Sequence, residues 1–270
     1  MTLIERQAPS HWYLRDGRPF HEIAKKDGSG NRPVTLADAR KVLALPSVTN
    51  VLGVLAKPAL EAWKIEQGIL SALTLPQQPG EDLGVFAKQV EKATDFGTAI
   101  HHACEVYAVN KEGPADPALL PFFEPWRQWF DANVERIDSV EEVFVHHEYG
   151  YAGRLDMLAK LKGLGWAVVD FKTQKIKRGA KGHAKPVFYE TWPLQLAAYQ
   201  QAILSSTAKL VTGLVSVVID SAQPGPVQVK AWPSPPDYFA LFLAARALWR
   251  YVKDYDPMMP VPNCPRPELN

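Results

Sequence analysis

The chain has 270 residues, enough for one large domain or a domain with a sizeable subdomain. Apolar residues make up 47% and aromatics 10%, which supports a substantial core and excludes global disorder. Thirty lysines and arginines against 29 acids leave a net charge of +1, so any case for nucleic-acid binding has to be local.

The only two cysteines, Cys104 and Cys264, are far apart and form no CxxC pair. That count excludes a zinc ribbon and a four-cysteine iron–sulfur cluster, and it fits a reducing, cytoplasmic setting. Met1 to Ser10 carries charges without an apolar run, so no signal peptide is expected. The apolar stretch from Tyr238 to Trp249 is interrupted by Arg246 and is too short to span a bilayer.

In chain order, residues 1–35 read as weakly ordered, with Gly28-Ser29-Gly30-Asn31-Arg32-Pro33 as a turn or linker. Ser47 or Thr49 can cap a short helix, and Pro58 opens another that runs through Trp63. Residues 1–90 are therefore expected to form an N-terminal helical extension or cap. Over 83–109, Phe86, Val90, Ala93, Gly97, Ile100, Cys104 and Tyr107 recur at helical spacing, with Asp95-Phe96-Gly97 as a candidate break. A second helix is predicted over 123–137, with Phe122, Trp126, Trp129 and Phe130 as an aromatic face.

The period then changes to that of strands, over 140–148, 152–161 and 166–171, joined by short turns as in an antiparallel meander. A polar loop over 174–190 leads to a helix over 192–204. A nearly continuous β-branched run over 211–219 predicts a buried strand. A short strand over 227–231 and a helix over 236–254 follow. The core is thus placed at 91–256, with an irregular tail over 257–270.

Four patterns carry chemistry. In Asp170-Phe171-Lys172, the first and third residues share one side of a strand, so a carboxylate and an ammonium project together from an otherwise apolar segment. Gly153-Arg154-Leu155-Asp156 lies on the preceding strand, and antiparallel pairing brings Asp156 to Asp170. Two close carboxylates repel unless a cation separates them, and Mg²⁺ or Mn²⁺ suits oxygen donors. Alternatively, Asp156 simply pairs with Arg154 or a nearby lysine. His101 and Glu105 share one helical face, behind a glycine, Gly97, that permits close approach. Gln195 and Tyr199 share another. After Asp170 comes an acid-free run containing Lys172, Lys175, Lys177, Arg178, Lys181 and Lys185, suited to phosphates, followed by Tyr189 and Trp192, which can stack on bases or pack internally.

In this order, the four patterns resemble the RecB-type branch of the PD-(D/E)XK nuclease superfamily, which includes phage-encoded and mitochondrial genome-maintenance exonucleases. The similarity covers about residues 95–220. It implies an α/β, restriction-endonuclease-like αβββαβ core, a mixed central sheet flanked by helices. It also implies metal ligation by Asp156, Asp170, the Phe171 carbonyl and His101. Glu105 would be an outer-shell acceptor or a ligand for a second metal. Lys172 would orient or help deprotonate the attacking water, and Gln195 and Tyr199 would position the lysine and the nucleic-acid backbone. The implied activity is a Mg²⁺- or Mn²⁺-dependent DNA exonuclease without an iron–sulfur cluster. Its substrate would be single- or double-stranded DNA with ends, its setting the cytoplasm of a bacterial or phage-infected cell, and a recombination or single-strand-binding protein is the expected class of partner. A structure-specific endonuclease and a non-catalytic nucleic-acid-binding module remain as alternatives.

Overall fold

The computed structural model describes residues 11–55, 84–179, 182–233 and 237–259. The N-terminal segment contains β1 (Trp12–Tyr13), β2 (Glu22–Ala24), β3 (Asn31–Pro33), α1 (Leu36–Val42), β4 (Leu45–Pro46) and α2 (Val48–Leu52). After α3 (Gly84–Asn110) and α4 (Leu120–Asn133) come β5 (Val134–Val140), β6 (Val143–His146), β7 (Tyr151–Arg154), β8 (Met157–Leu161) and β9 (Gly165–Gln174). The chain continues through β10 (Lys177–Arg178), β11 (Ala184–Lys185), α5 (Trp192–Thr207), β12 (Gly213–Asp220), β13 (Gln228–Ala231) and α6 (Tyr238–Lys253).

Five strands form a mixed central sheet in the order β13-β12-β9-β8-β5. β9 pairs antiparallel with β8 and parallel with β12. All eight residues of β12 are buried, as expected for an inner strand covered on both faces. Successive side chains of β9 alternate between two apolar layers. Ala167, Val169 and Phe171 pack with Ile100 and Cys104 of α3 and Trp126 of α4. Val168 packs in the other layer, with Leu196 of α5, Phe242 and Trp249 of α6, and Trp12 and Val48 of the N-terminal segment. Trp126 is fully buried, so Trp126→Ala would cost about 3–5 kcal/mol.

Several elements differ from the sequence reading. The helix expected over 123–137 ends at Asn133, and Val134–Val140 is the edge strand of the sheet. Two register shifts, between Val134 and Arg136 and between Ile137 and Ser139, add extra residues to this strand. These bulges stretch the spacing of Val134, Ile137 and Val140 to three, which imitates a helix. The expected strand over 152–161 breaks at Leu155-Asp156, and β6 with β7 forms a separate hairpin. α3 passes through Asp95-Phe96-Gly97 without a break.

Residues 11–35 are ordered rather than weakly structured. Trp12 and Val34 are buried in the main core, and β1 pairs with β4. Thr35 and Asp38 form a reciprocal capping box that starts α1, and Ser47 caps α2. The expected helix opening at Pro58, the first ten residues, Lys181, Cys264 and most of the C-terminal tail lie outside the described residues. Among the described residues, no helix is long and apolar enough to cross a membrane.

Candidate active site

The site forms where β9 runs out from under the core. The register that pairs Met157 with Val169 sets Asp156, just before β8, opposite Asp170. Asp156 Oδ2 accepts a 2.6 Å hydrogen bond from the Phe171 backbone N–H, so the carboxylate is tied directly to the strand that carries Asp170. Arg154 forms no ion pair with it and acts on it only through space. The guanidinium instead meets Glu141 at 2.8 Å.

Asp170 and Lys172 project from β9 toward α5. Lys172 Nζ donates to Asp170 Oδ1 at 2.7 Å and to Gln195 Oε1 at 3.5 Å. The Gln195 amide donates to the same Asp170 oxygen at 3.2 Å and contacts the Tyr199 hydroxyl at 3.1 Å. Helical spacing of Gln195 and Tyr199 thus produces one connected chain of contacts: Tyr199, Gln195, Lys172, Asp170. The second oxygen of Asp170, Oδ2, is buried and has no hydrogen-bond partner. A buried carboxylate oxygen in that state is costly unless a cation or donor meets it.

The electrostatics follow from burial. Asp170, only 3% exposed, has its pKa pushed up to about 6, first by desolvation and further by Asp156, against the pull of Lys172. Burial also raises Asp156, opposed by Lys172, the Phe171 N–H and Arg154. For Lys172, burial favours the neutral amine, but the two aspartates outweigh it and hold the ammonium above its ordinary pKa.

On the other layer, His101 of α3 sits edge-on to Phe171, with ring centroids 6.4 Å apart. Its pKa falls to about 4, mainly through burial and then through Lys172, with Asp170 opposing, so the imidazole is neutral and keeps a lone pair at physiological pH. Glu105 lies one turn further on and contacts His102 at 3.4 Å. Among the described residues, no three His, Cys, Asp or Glu side chains converge as a ready-made metal cluster.

Two glycines set the spacing of these parts. A Cβ at Gly97 would come within 2.8 Å of Thr173 Oγ1, so the helix bearing His101 approaches β9 only because residue 97 lacks a side chain. A Cβ at Gly153 would lie 2.3 Å from Tyr199 Cε1, so the ring stands where any other residue would place atoms.

The basic segment after β9 is a hairpin, not an irregular loop, because β10 pairs with β11. Lys175, Lys177 and Lys185 are exposed along it, while Ile176 is buried as an anchor. Arg178 has a structural partner, the buried Asp220 at 2.7 Å. Trp192 lies beside the site, with Lys172 Nζ 5.9 Å from its ring and Tyr189 packed against it at 5.3 Å.

Glu141 escaped the sequence reading. It is half-buried, adopts φ 52°, and donates its backbone N–H to the Asp156 carbonyl at 3.1 Å. Its carboxyl pKa is raised to about 7, by burial first and by Asp156 next. The acidic pair Glu141-Glu142 ahead of the apolar Val143-Phe144-Val145 was the available signal, but a left-handed non-glycine residue cannot be read from sequence.

No family model and no curated protein matches this chain. Solved structures do match at low similarity. One, described as a "Putative exonuclease" from Eubacterium rectale, is 12% identical over 59% of this chain and 68% of its own, with a TM-score of 0.38. Another, SSO0001, is 15% identical over 72% of this chain and 86% of its own, with a TM-score of 0.30. Likenesses this weak assign no activity, and the functional reading rests on the site's own geometry.

Proposed function

We propose that the protein is a divalent-metal-dependent DNA nuclease of the RecB type, acting from DNA ends. The observation that carries this reading is the unpartnered, buried Oδ2 of Asp170 beside a second, partly buried carboxylate, Asp156. Two hard oxygen donors with one lone pair unsatisfied fit Mg²⁺ or Mn²⁺. Asp156 and Asp170 would hold the ion, with the Phe171 carbonyl and His101 as further donors and Glu105 as an outer-shell acceptor or a second-metal ligand. When bound, such an ion lowers the pKa of a water and offsets negative charge on phosphoryl oxygens.

The chain's own groups define the remaining roles. Without the ion the two aspartates favour the protonated form of Lys172; with the ion bound between them, Lys172 would orient or help deprotonate the attacking water and balance charge. Two of its three N–H groups are taken by Asp170 and Gln195, which leaves one for a water or a phosphate oxygen. Gln195 fixes the ammonium, and Tyr199 fixes Gln195. Exposed Lys175 and Lys177 would draw the DNA backbone toward the site.

The test is purified protein incubated with end-labelled single-stranded, double-stranded and circular DNA, with Mg²⁺, Mn²⁺ or chelator, beside Lys172→Ala. Metal-dependent loss of the linear substrates, with circles intact, supports an end-dependent nuclease. Cleavage of circles would show an endonuclease, and no cleavage under any condition would defeat the proposal.

A further inference from the structure

The segment between the basic hairpin and α5 sets a row of aromatic rings beside this site. Tyr189 and Trp192 share one turn, closed by the Trp192 backbone N–H on the Tyr189 carbonyl at 3.0 Å, and their rings meet edge-on at 5.3 Å. Phe188 stands edge-on to Trp192 at 6.0 Å and to Trp232 at 6.4 Å. Trp232 is buried, and its indole N–H donates to Ser216 Oγ of β12 at 3.0 Å, so the row is fastened to the central sheet. Gln174, at the end of β9, fastens the segment a second time. Its side-chain amide donates to the Val187 carbonyl at 3.1 Å, and its Oε1 accepts the Val187 N–H at 2.8 Å. The rings are thus held in place before any ligand arrives.

Internal packing accounts for only part of this row. Phe188 and Trp232 form its inner end and share Lys230, whose ammonium lies 5.4 and 3.7 Å from their ring centres. Trp192 is partly exposed and Tyr189 is 37% exposed, so the outer end keeps aromatic surface in solvent. Against that end stands Lys172, its ammonium 5.9 Å from the Trp192 ring centre and one of its N–H groups uncommitted. A free N–H suits a phosphate oxygen and the neighbouring ring suits a base face, so the two together match a single nucleotide. Lys175, Lys177 and Lys185 are exposed on the hairpin that leads here, and Glu190 is the only acid in the sequence from Lys172 to Trp192. Within a duplex each base is paired and covered by its neighbours. A protein ring reaches a base face only where the strand is unpaired.

We propose that Trp192, with Tyr189 beside it, is a base-stacking platform that presents an unpaired nucleotide to the Asp156–Asp170 centre, which makes single-stranded DNA the substrate. That a phosphate is hydrolysed there rests on the nuclease reading; the preference for an unpaired base rests on the rings.

The test is binding in chelator, so that nothing is cleaved. Fluorescence anisotropy compares the wild type, Trp192→Ala and Trp192→Phe on an oligothymidylate, on an abasic strand of equal length and on a blunt duplex, all at one salt concentration. The abasic strand keeps every phosphate and lacks the bases. The wild type is expected to bind the oligothymidylate about tenfold more tightly than the abasic strand, and more tightly than the duplex. Trp192→Ala should erase most of that base preference by weakening the oligothymidylate alone, while Trp192→Phe keeps most of it. The proposal is overturned if the wild type binds intact and abasic strands equally or prefers the duplex. It is also overturned if Trp192→Ala of unchanged melting temperature keeps the base preference, or weakens both strands alike, as a ring that merely shields Lys172 would. The first comparison needs the wild type only, so it decides the matter even where Trp192→Ala does not fold. A wild type that cleaves no DNA defeats the nuclease reading, while the intact and abasic strands still decide the platform.

Discussion

Asp170→Asn is expected to stabilise the metal-free protein at neutral pH while abolishing cleavage. Moving a carboxyl from its ordinary 3.8 to about 6 disfavours the ionised, folded state by about 3 kcal/mol at pH 7. Asparagine is nearly isosteric with the protonated acid but places an amide where Oδ2 now has no partner. An unsatisfied buried N–H returns about 1–2 kcal/mol of that gain. The net effect is a stabilisation of about 1–2 kcal/mol, or roughly 3–6 °C in melting temperature for a domain of this size. The pH dependence has a definite sign. Below 3.8 both folded and unfolded chains are protonated at this group and the penalty is absent; it grows between 3.8 and about 6 and is complete above. Thermal melts in chelator should therefore show the variant ahead of the wild type at pH 7.5, with the gap closed at pH 4.5. Added Mn²⁺ should then raise the wild type and leave the variant unmoved. A variant less stable than the wild type at pH 7.5 in chelator would refute the reasoning.

Lys172→Ala should reduce metal-dependent cleavage by about 10²–10³-fold. It should also destabilise the metal-free fold by about 3–5 kcal/mol, because the buried Asp170 and its neighbour Asp156 lose their counter-charge; an unchanged melting temperature would contradict this. Gly153→Ala drives a methyl into the Tyr199 ring and should cost about 1–3 kcal/mol together with most of the cleavage rate, checked by paired melts and kinetics. Neutralising Lys175 and Lys177 together should weaken DNA binding and lower its salt slope by about 1.5, checked by anisotropy from 50 to 200 mM salt. Arg178→Gln acts differently from its lysine neighbours: it strips the buried Asp220 of its partner, so its main effect should be lost stability, read in the same melts.

Much of this site was legible because its signals are local. Val168-Val169 and the β-branched run of β12 announce inner strands, and i, i+4 spacing on α5 pairs Gln195 with Tyr199, whereas on α3 Glu105 meets His102 rather than His101. The antiparallel register then carries Asp156 to Asp170 over a short turn. What escaped depends on conformations and contacts that sequence does not encode locally. The bulges of β5 disguise a strand as a helix. The break at Leu155-Asp156 frees the Asp156 carboxylate to take the Phe171 N–H, which a continuous strand would not have suggested. Sequence proximity offers Arg154 or a nearby lysine as a partner for Asp156, yet Arg154 pairs with Glu141, which sits at a left-handed turn. The N-terminal segment carries few periodic signals, because its strands are two or three residues long and gain their order from packing against β7 and α6.

The central claim is that Asp170 serves a hydrolytic metal ion, and its most direct test is the initial rate of DNA cleavage as Mn²⁺ is titrated at fixed protein, for the wild type beside Asp170→Asn. The account predicts a saturable, metal-dependent rate for the wild type and none above background for the variant, although the variant is at least as stable. Equal rates in the two proteins, or a wild-type rate indifferent to Mn²⁺ and chelator, would contradict it.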